Sequence, residues 1–228
     1  MAADAASPPT WVVVLLDWQN IYNCAREAFG LESASSFEGN VYPLKLANHL
    51  ASGVGPNRSL QELRIYRGRP DNAKSRKSYD AWQSQAAAWK GTCGDRLIPR
   101  YRDLRYRGNE VVEKGIDVWL AIDLVKIAME QDVDRVVVVS SDTDLVPALE
   151  LAVELRGEEF VEVAGWDGRA DAAPILNVAG VVQRGLTKSH YERFRDDTDY
   201  NVGIRIRRKQ QQQPWDGQIE AEGRHRRD

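Results

Sequence analysis

The chain has little thiol and little imidazole to work with. Cys24 and Cys93 are its only cysteines, and its three histidines, His49, His190 and His225, stand far apart. Two thiols make no disulfide framework and fit a reducing cytoplasm, where the protein is expected to reside. Three scattered imidazoles argue against a His-built zinc site, and neither His49 nor His190 has the setting of a Ser-His-Asp triad. No apolar run approaches the roughly 18 residues needed to span a membrane. Phosphate-cradling loops are missing too: there is no G-x-x-x-x-G-K-[ST] and no G-x-G-x-x-G, and Gly53-Val54-Gly55 runs into Pro56 without a third glycine. These absences turn the reading away from nucleoside-triphosphate and dinucleotide chemistry. Residues 1–10 are Ala/Pro/Ser-rich and read as disordered; without a basic residue they also make a poor signal peptide.

What is present is a globular chain of 228 residues, 43% hydrophobic with seven Trp, enough for one sizeable core. Short runs of β-formers alternate with helical periodicity. Strands are expected at Val12–Asp17, Leu63–Tyr66, Arg96–Tyr101, Arg135–Val139 and Phe160–Ala164, with a small edge strand at Val178–Val182. Helices are expected at Asn20–Phe29, around Leu44–Leu50, at Asn72–Lys90 with Trp82 and Trp89 on one face, at Ile116–Met129, at Leu145–Arg156 and at His190–Arg195. The helix from Ile116 is apolar on nearly all sides and is expected to be buried. All-apolar strands alternating with helices imply a three-layer, Rossmann-like α/β fold with a mainly parallel sheet over residues 11–195. Residues 196–228 read as a flexible basic tail.

Net charge is only −3, but it is unevenly distributed. Arg58 to Arg107 holds 13 basic against 5 acidic residues, whereas Gly108 to Gly165 holds 4 against 14. One section can attract polyanions and the other can hold a cation, although charged helix surfaces account for such segments equally well. In the basic section Arg67, Arg69, Lys74, Arg100, Arg102, Arg105 and Arg107 are candidate nucleic-acid contacts. Tyr106, in a loop, is the candidate for stacking on a base, while Tyr66 and Tyr101 sit in strands and are expected to pack.

The acids have a pattern. Trp11-Val12-Val13-Val14-Leu15-Leu16 ends in Asp17 and then Asn20, and Val136 to Val139 leads into Ser140-Ser141-Asp142-Thr143-Asp144. In an open α/β sheet the ligand site lies beyond the carboxyl ends of the strands. Acids gathered there repel unless a cation sits among them, and Mg²⁺ or Mn²⁺ suits oxygen donors. Asp17 and Asp144 also stand where helix caps are wanted. Asp117 opens the apolar helix and needs a partner, which Lys114 can supply. Asp123, six residues on, turns away from Asp117 and is expected to pair with Lys126 or a neighbouring element, leaving it only an auxiliary to the metal.

Asp17-x-x-Asn20, Lys114-Gly115-Ile116-Asp117 with Asp123, and Ser140-Ser141-Asp142-Thr143-Asp144 together resemble the NYN domain, a branch of the PIN-like nuclease superfamily, and within it the bacterial group labelled LabA-like. The resemblance spans about residues 11 to 165. It implies a PIN-like fold and metal-dependent cleavage of RNA, with Asp17, Asp117, Asp142 and Asp144 as the acidic metal centre and Asn20 at its rim. Ser141 stands where the family usually has glycine.

The expected function is therefore a Mg²⁺- or Mn²⁺-dependent nuclease, an endoribonuclease in the family's manner, with DNA as the other substrate its charge would admit. Lys114 joins the basic residues as a substrate contact, and a homo-oligomer is compatible with the chain. The competing expectation is a nucleic-acid- or protein-binding module with the same fold and no catalysis. A haloacid-dehalogenase-type site would want Asp-x-Asp after the first strand, and a Toprim-type site would want Glu there; Asp17-Trp18-Gln19 supplies neither.

Overall fold

Val12 to Leu16 forms the core of β1 (Thr10–Asp17), and this stretch is buried on both faces. Val12, Val14 and Leu16 belong to the core on one side of the sheet and Val13 and Leu15 to the core on the other, each at most 1% exposed. Double burial is why the segment is an unbroken apolar run and not an alternation. Truncating Leu15 to Ala would cost about 2–5 kcal/mol. The computed structural model describes residues 8–53, 55, 57–108, 110–130, 132–168, 176–202 and 204–205. The expectations for residues 1–7 and for the basic clusters from Ile206 onward lie outside that set.

After β1 come α1 (Trp18–Ala28), α2 (Pro43–Ser52), β2 (Arg58–Arg69), α3 (Arg76–Cys93) and β3 (Leu97–Asp103). A small antiparallel hairpin, β4 (Arg105–Arg107) and β5 (Glu110–Val112), stands where a basic loop was expected. Then follow α4 (Ile116–Met129), β6 (Arg135–Val139), α5 (Val146–Arg156), β7 (Val161–Trp166), β8 (Val182–Leu186) and α6 (Lys188–Phe194). Six strands form one sheet in the order β3-β2-β1-β6-β7-β8, and every neighbouring pair is parallel. The Rossmann-like expectation is met.

The order reverses between β1 and β6. Right-handed crossovers require strands added in opposite directions to carry their helices on opposite faces. Accordingly α1, α2 and α3 pack against one face with Ile21, Leu46, Leu50 and Trp89, while α4 and α5 pack against the other with Leu120, Leu124 and Leu149. The reversal leaves a crevice at the carboxyl ends of β1 and β6, where ligands bind in open α/β sheets.

Three expectations need correction. Helix α4 is not buried all round: Val118, Ile122 and Met129 are 55%, 53% and 68% exposed, because only one side of a helix can rest on a sheet. The edge strand begins at Val182, not Val178; Val178 and Val181 are buried in the connection before it. The described fold also continues past residue 195. Asp196 is buried, its backbone N–H donates to the Asn40 carbonyl at 2.8 Å, and it accepts from the Tyr200 hydroxyl at 2.6 Å. A further short strand, β9 (Thr198–Asp199), follows it. The segment from Asp196 to Asn201 is thus tied to the domain and is not part of a loose tail.

Candidate active site

Asp17 closes β1 at the switch point. Its Oδ1 accepts the backbone N–H of Asn20 at 3.2 Å, capping α1, and its Oδ2 accepts the Ser140 hydroxyl at 3.0 Å from the end of β6. The side chain is therefore fixed from both strands. Burial pushes its pKa up from 3.8 to about 6; the two hydrogen bonds oppose that, and the nearby Asp142 and Asp117 carboxylates reinforce it. No described basic side chain forms an ion pair with it. Asp17 is both a cap and an uncompensated buried acid.

Asn20 faces inward to the same loop. Its Oδ1 accepts the Ser141 backbone N–H at 2.9 Å and the Ser141 hydroxyl at 3.2 Å. This ties α1 to the loop after β6, so the side chain positions the two acid-bearing segments. Ser141 is an active member of this tie, which gives its hydroxyl a use at that position. Asp142 accepts the Asp144 backbone N–H at 3.0 Å and caps a 3-10 turn, Thr143–Leu145, that leads into α5. The cap is Asp142, not Asp144 as expected, because the 3-10 turn starts at Thr143, three residues before the helix proper at Val146. Asp144 is exposed, and with Asp117 it borders a groove of about 430 Å³ floored by Val118, Ala121, Ile122 and Ala148.

Glu113 was missed in the sequence reading. It precedes α4 by three residues and carries no motif signal beyond its place beside Lys114. Burial raises its pKa, and Asp17 and Asp117 add to the rise; an N–H from Gly68 and the charge of Arg67 pull the other way. Its Oε1 is buried without a hydrogen-bond partner. Glu113 thus joins the acids of the switch point, brought there by the crossover from β3.

Asp123 has a different fate. Its Oδ2 accepts the Tyr66 hydroxyl at 2.8 Å and Arg100 Nε at 2.7 Å, with Arg64 at 3.3 Å. Burial raises its pKa, but these donors and charges outweigh burial and hold the carboxyl below its ordinary value. It pairs with the neighbouring strands, not with Lys126, and it is a structural counter-ion. Arg100 is correspondingly occupied by Asp123 and packs over Trp119 at 5.5 Å.

The other basic candidates divide by surroundings. Arg69 pairs with Asp103 at 2.6 Å on the surface. Tyr106 is held by Asp71, whose N–H donates to its hydroxyl at 3.0 Å, and Lys74 lies 5.0 Å over its ring. Arg102 donates to the Gly115 carbonyl at 3.3 Å, beside the start of α4. Arg105, Arg107 and Lys114 are exposed. Arg67 is drawn inward, beside the contacting rings of Trp18 and Trp89.

Among the described residues, no three carboxylate, imidazole or thiol side chains converge closely enough to enclose an ion as they stand. The donors nonetheless fit a hard divalent cation. They are all oxygens, and Mg²⁺ commonly keeps several waters and takes only one or two carboxylates. The raised Asp17 pKa records chiefly its burial, to which the Asp142 and Asp117 carboxylates add, and a cation there would offset both.

A six-stranded parallel sheet with acids crowded at its switch point defines a Rossmann-like domain of the PIN type, a nuclease-like architecture. The chain belongs to the NYN domain family, whose family model matches residues 12–179. A solved structure, a protein of unknown function from Vibrio parahaemolyticus, is similar with a TM-score of 0.52 at 21% identity, over 80% of this chain and 96% of that one. That likeness speaks for the fold alone. No curated protein matches the chain. Among the described residues no helix is long and apolar enough to cross a membrane.

Proposed function

We propose that the protein is a divalent-metal-dependent ribonuclease acting at the acidic edge between β1 and β6. The observation that carries this reading is Asp17: a buried, hydrogen-bonded carboxylate at the switch point, flanked by Asp142 and Asp117, with no cationic partner among the described residues. An acid edge in this state repels a phosphodiester. A cation at the edge offsets that repulsion and lets the scissile phosphate close on Asp17, while the basic approach residues hold the rest of the strand without it.

Asp17, Asp142 and Asp117 would hold Mg²⁺ or Mn²⁺, with Asp144 and Glu113 at the margin. When bound, the ion supplies charge neutralisation and a lowered pKa for attacking water. The chain's own residues do the rest. Ser140 and Asn20 lock Asp17 and the loop after β6 in register, so the carboxylates lose little freedom on binding. Arg102, Arg105, Arg107, Lys114 and Lys74 line the approach and draw in the polyanion, an attraction that is salt-dependent and does not by itself separate RNA from DNA. Cys24 and Cys93 are both buried thiols and neither is in a disulfide, which accords with a cytoplasmic setting.

The test is cleavage of labelled single-stranded RNA, hairpin RNA and matched DNA with Mg²⁺, Mn²⁺ or EDTA. Cleavage should require the metal, and Asp17→Asn and Asp142→Asn should each lower the rate roughly a hundredfold or more, the scale of losing a preorganised charge-stabilising group. Equal rates in both variants would remove this site assignment. The openness of the acid cluster favours one second reading, a binding module; RNA bound but intact with every metal would select it.

A further inference from the structure

A second cavity opens immediately beside the acids. It measures about 280 Å³ and lies between the start of α1, the carboxyl end of β2, α3 and the turn after β9. Trp18, the residue after Asp17, forms part of its wall, with Tyr22, Arg67, Trp82 and Gln85. It thus adjoins the metal edge on the side of the sheet away from α4.

The polar groups of this wall are arranged unlike those of a settled core. Arg67 donates from Nη1 to Gln85 Oε1 at 2.6 Å, and no described carboxylate forms an ion pair with it. Its guanidinium lies 5.7 Å from the Trp18 ring and 5.2 Å from the Trp89 ring. Burial lowers its pKa to about 10, which still leaves it cationic at neutral pH. Because Gln85 uses its oxygen on Arg67, its amide nitrogen points elsewhere, and that Nε2 is buried without a partner. Trp82 Nε1 is likewise buried and unpartnered. A buried donor left unmade costs about 1–3 kcal/mol, and two of them beside a desolvated cation mark a site lacking its acceptor.

We propose that this cavity binds one unpaired guanine base of the nucleic-acid strand. Aromatic walls suit the flat face of any base. The orphaned groups are donors, so they suit an edge that offers acceptors side by side, and guanine's O6 and N7 do so, with arginine as their commonest partner. Adenine puts an amino group where O6 would be and would set donor against donor. The proposal deepens the nuclease reading and rests on it for the identity of the strand: the bound base would place its own phosphate beside Asp17.

The experiment is equilibrium binding in EDTA, read by fluorescence anisotropy, of short labelled RNAs that differ at one central position: guanosine, 7-deazaguanosine or adenosine. Guanosine should bind roughly tenfold tighter than either of the others, the scale of one bidentate base contact. Gln85→Glu is isosteric; it replaces the donor by an acceptor and gives Arg67 a counter-charge, and it should erase the preference. Ala81→Phe, filling the cavity from α3, should do the same with both variants checked for native circular dichroism. Equal binding of the three RNAs, no binding of any, or a preference that survives both variants would overturn the proposal. Since the readout uses intact RNA without metal, failure of catalysis shows separately in the cleavage assay.

Discussion

Two buried carboxylates at the same end of the sheet carry opposite charge environments. Asp123 is surrounded by Arg100, Arg64 and Tyr66 and is held below its ordinary pKa. Asp17 is surrounded by Ser140, the α1 backbone and other acids and is pushed up to about 6. Both are buried and both are hydrogen-bonded, and burial is the largest influence on each. What separates them is whether cationic neighbours offset it. Asp123 has its counter-ions built in; Asp17 has none among the described residues and has other acids beside it, and the proposed metal role rests on that difference.

Mutation should separate the pair by sign as well as size. Asp123→Ala leaves Arg100 and the Tyr66 hydroxyl without their acceptor, while Arg64 keeps Glu62, and breaking such a buried group costs about 3–5 kcal/mol. In a chain of this size that is roughly a 10 °C fall in Tm, measurable by calorimetry. A change under 1 °C would show that the Asp123 cluster is dispensable.

Asp17→Asn should move stability the other way while abolishing activity. Asp17's pKa in the folded chain lies above its ordinary 3.8, so the folded state favours the protonated form. The stability associated with that proton is present below pH 3.8 and is lost as pH rises through about 6. In EDTA at neutral pH the substitution should therefore stabilise the protein by about 2–3 kcal/mol, and the gain should vanish in acid. A destabilised variant at neutral pH would mean that the hydrogen bonds outweigh the charge.

Glu113→Gln tests how far the acidic side of the comparison extends. It should weaken Mn²⁺ binding roughly tenfold, as loss of a supporting group does, in a calorimetric titration of the full chain. Unchanged affinity would return Glu113 to a packing role.

The smallest effect concerns His49, which sits 4.9 Å from the His190 ring and 5.1 Å from Phe194. Burial, helped by the charges of His190, Arg184 and Arg193, lowers its pKa from 6.5 to about 4. Its contribution to stability is present above pH 6.5 and lost as pH falls towards 4. His49→Gln should flatten that part of the Tm-versus-pH curve; an unaltered slope would assign acid sensitivity elsewhere.

Much of the fold was legible because the strands are doubly buried. Val136–Val139 and Ile116–Met129 were readable nearly to the residue, since a run of Val ended by Ser and Asp and a helical period opened by Gly115 leave few alternatives. Boundaries failed where backbone pairing decides: β2 extends from Arg58 to Arg69, through charged residues, because β1 and β3 both supply ladder partners. The site was legible in part. Asp17, Asp117 and Asp142 were visible as acids at strand and helix ends. Glu113 was not, and the division of labour among Arg67, Arg69, Arg100 and Arg102 was not, because each depends on what lies across the sheet.

The local order of apolar and acidic residues determined, by itself, a parallel α/β sheet and two strands tipped with carboxylates. Backbone hydrogen bonding and burial act over a few residues, and so they leave their mark on the chain. Which acid is paired with arginines and which has no such partner among the described residues was decided only by tertiary structure. Charges interact through space, and the neighbours that set the state of Asp17 and Asp123 come from segments that meet only when the sheet reverses its order.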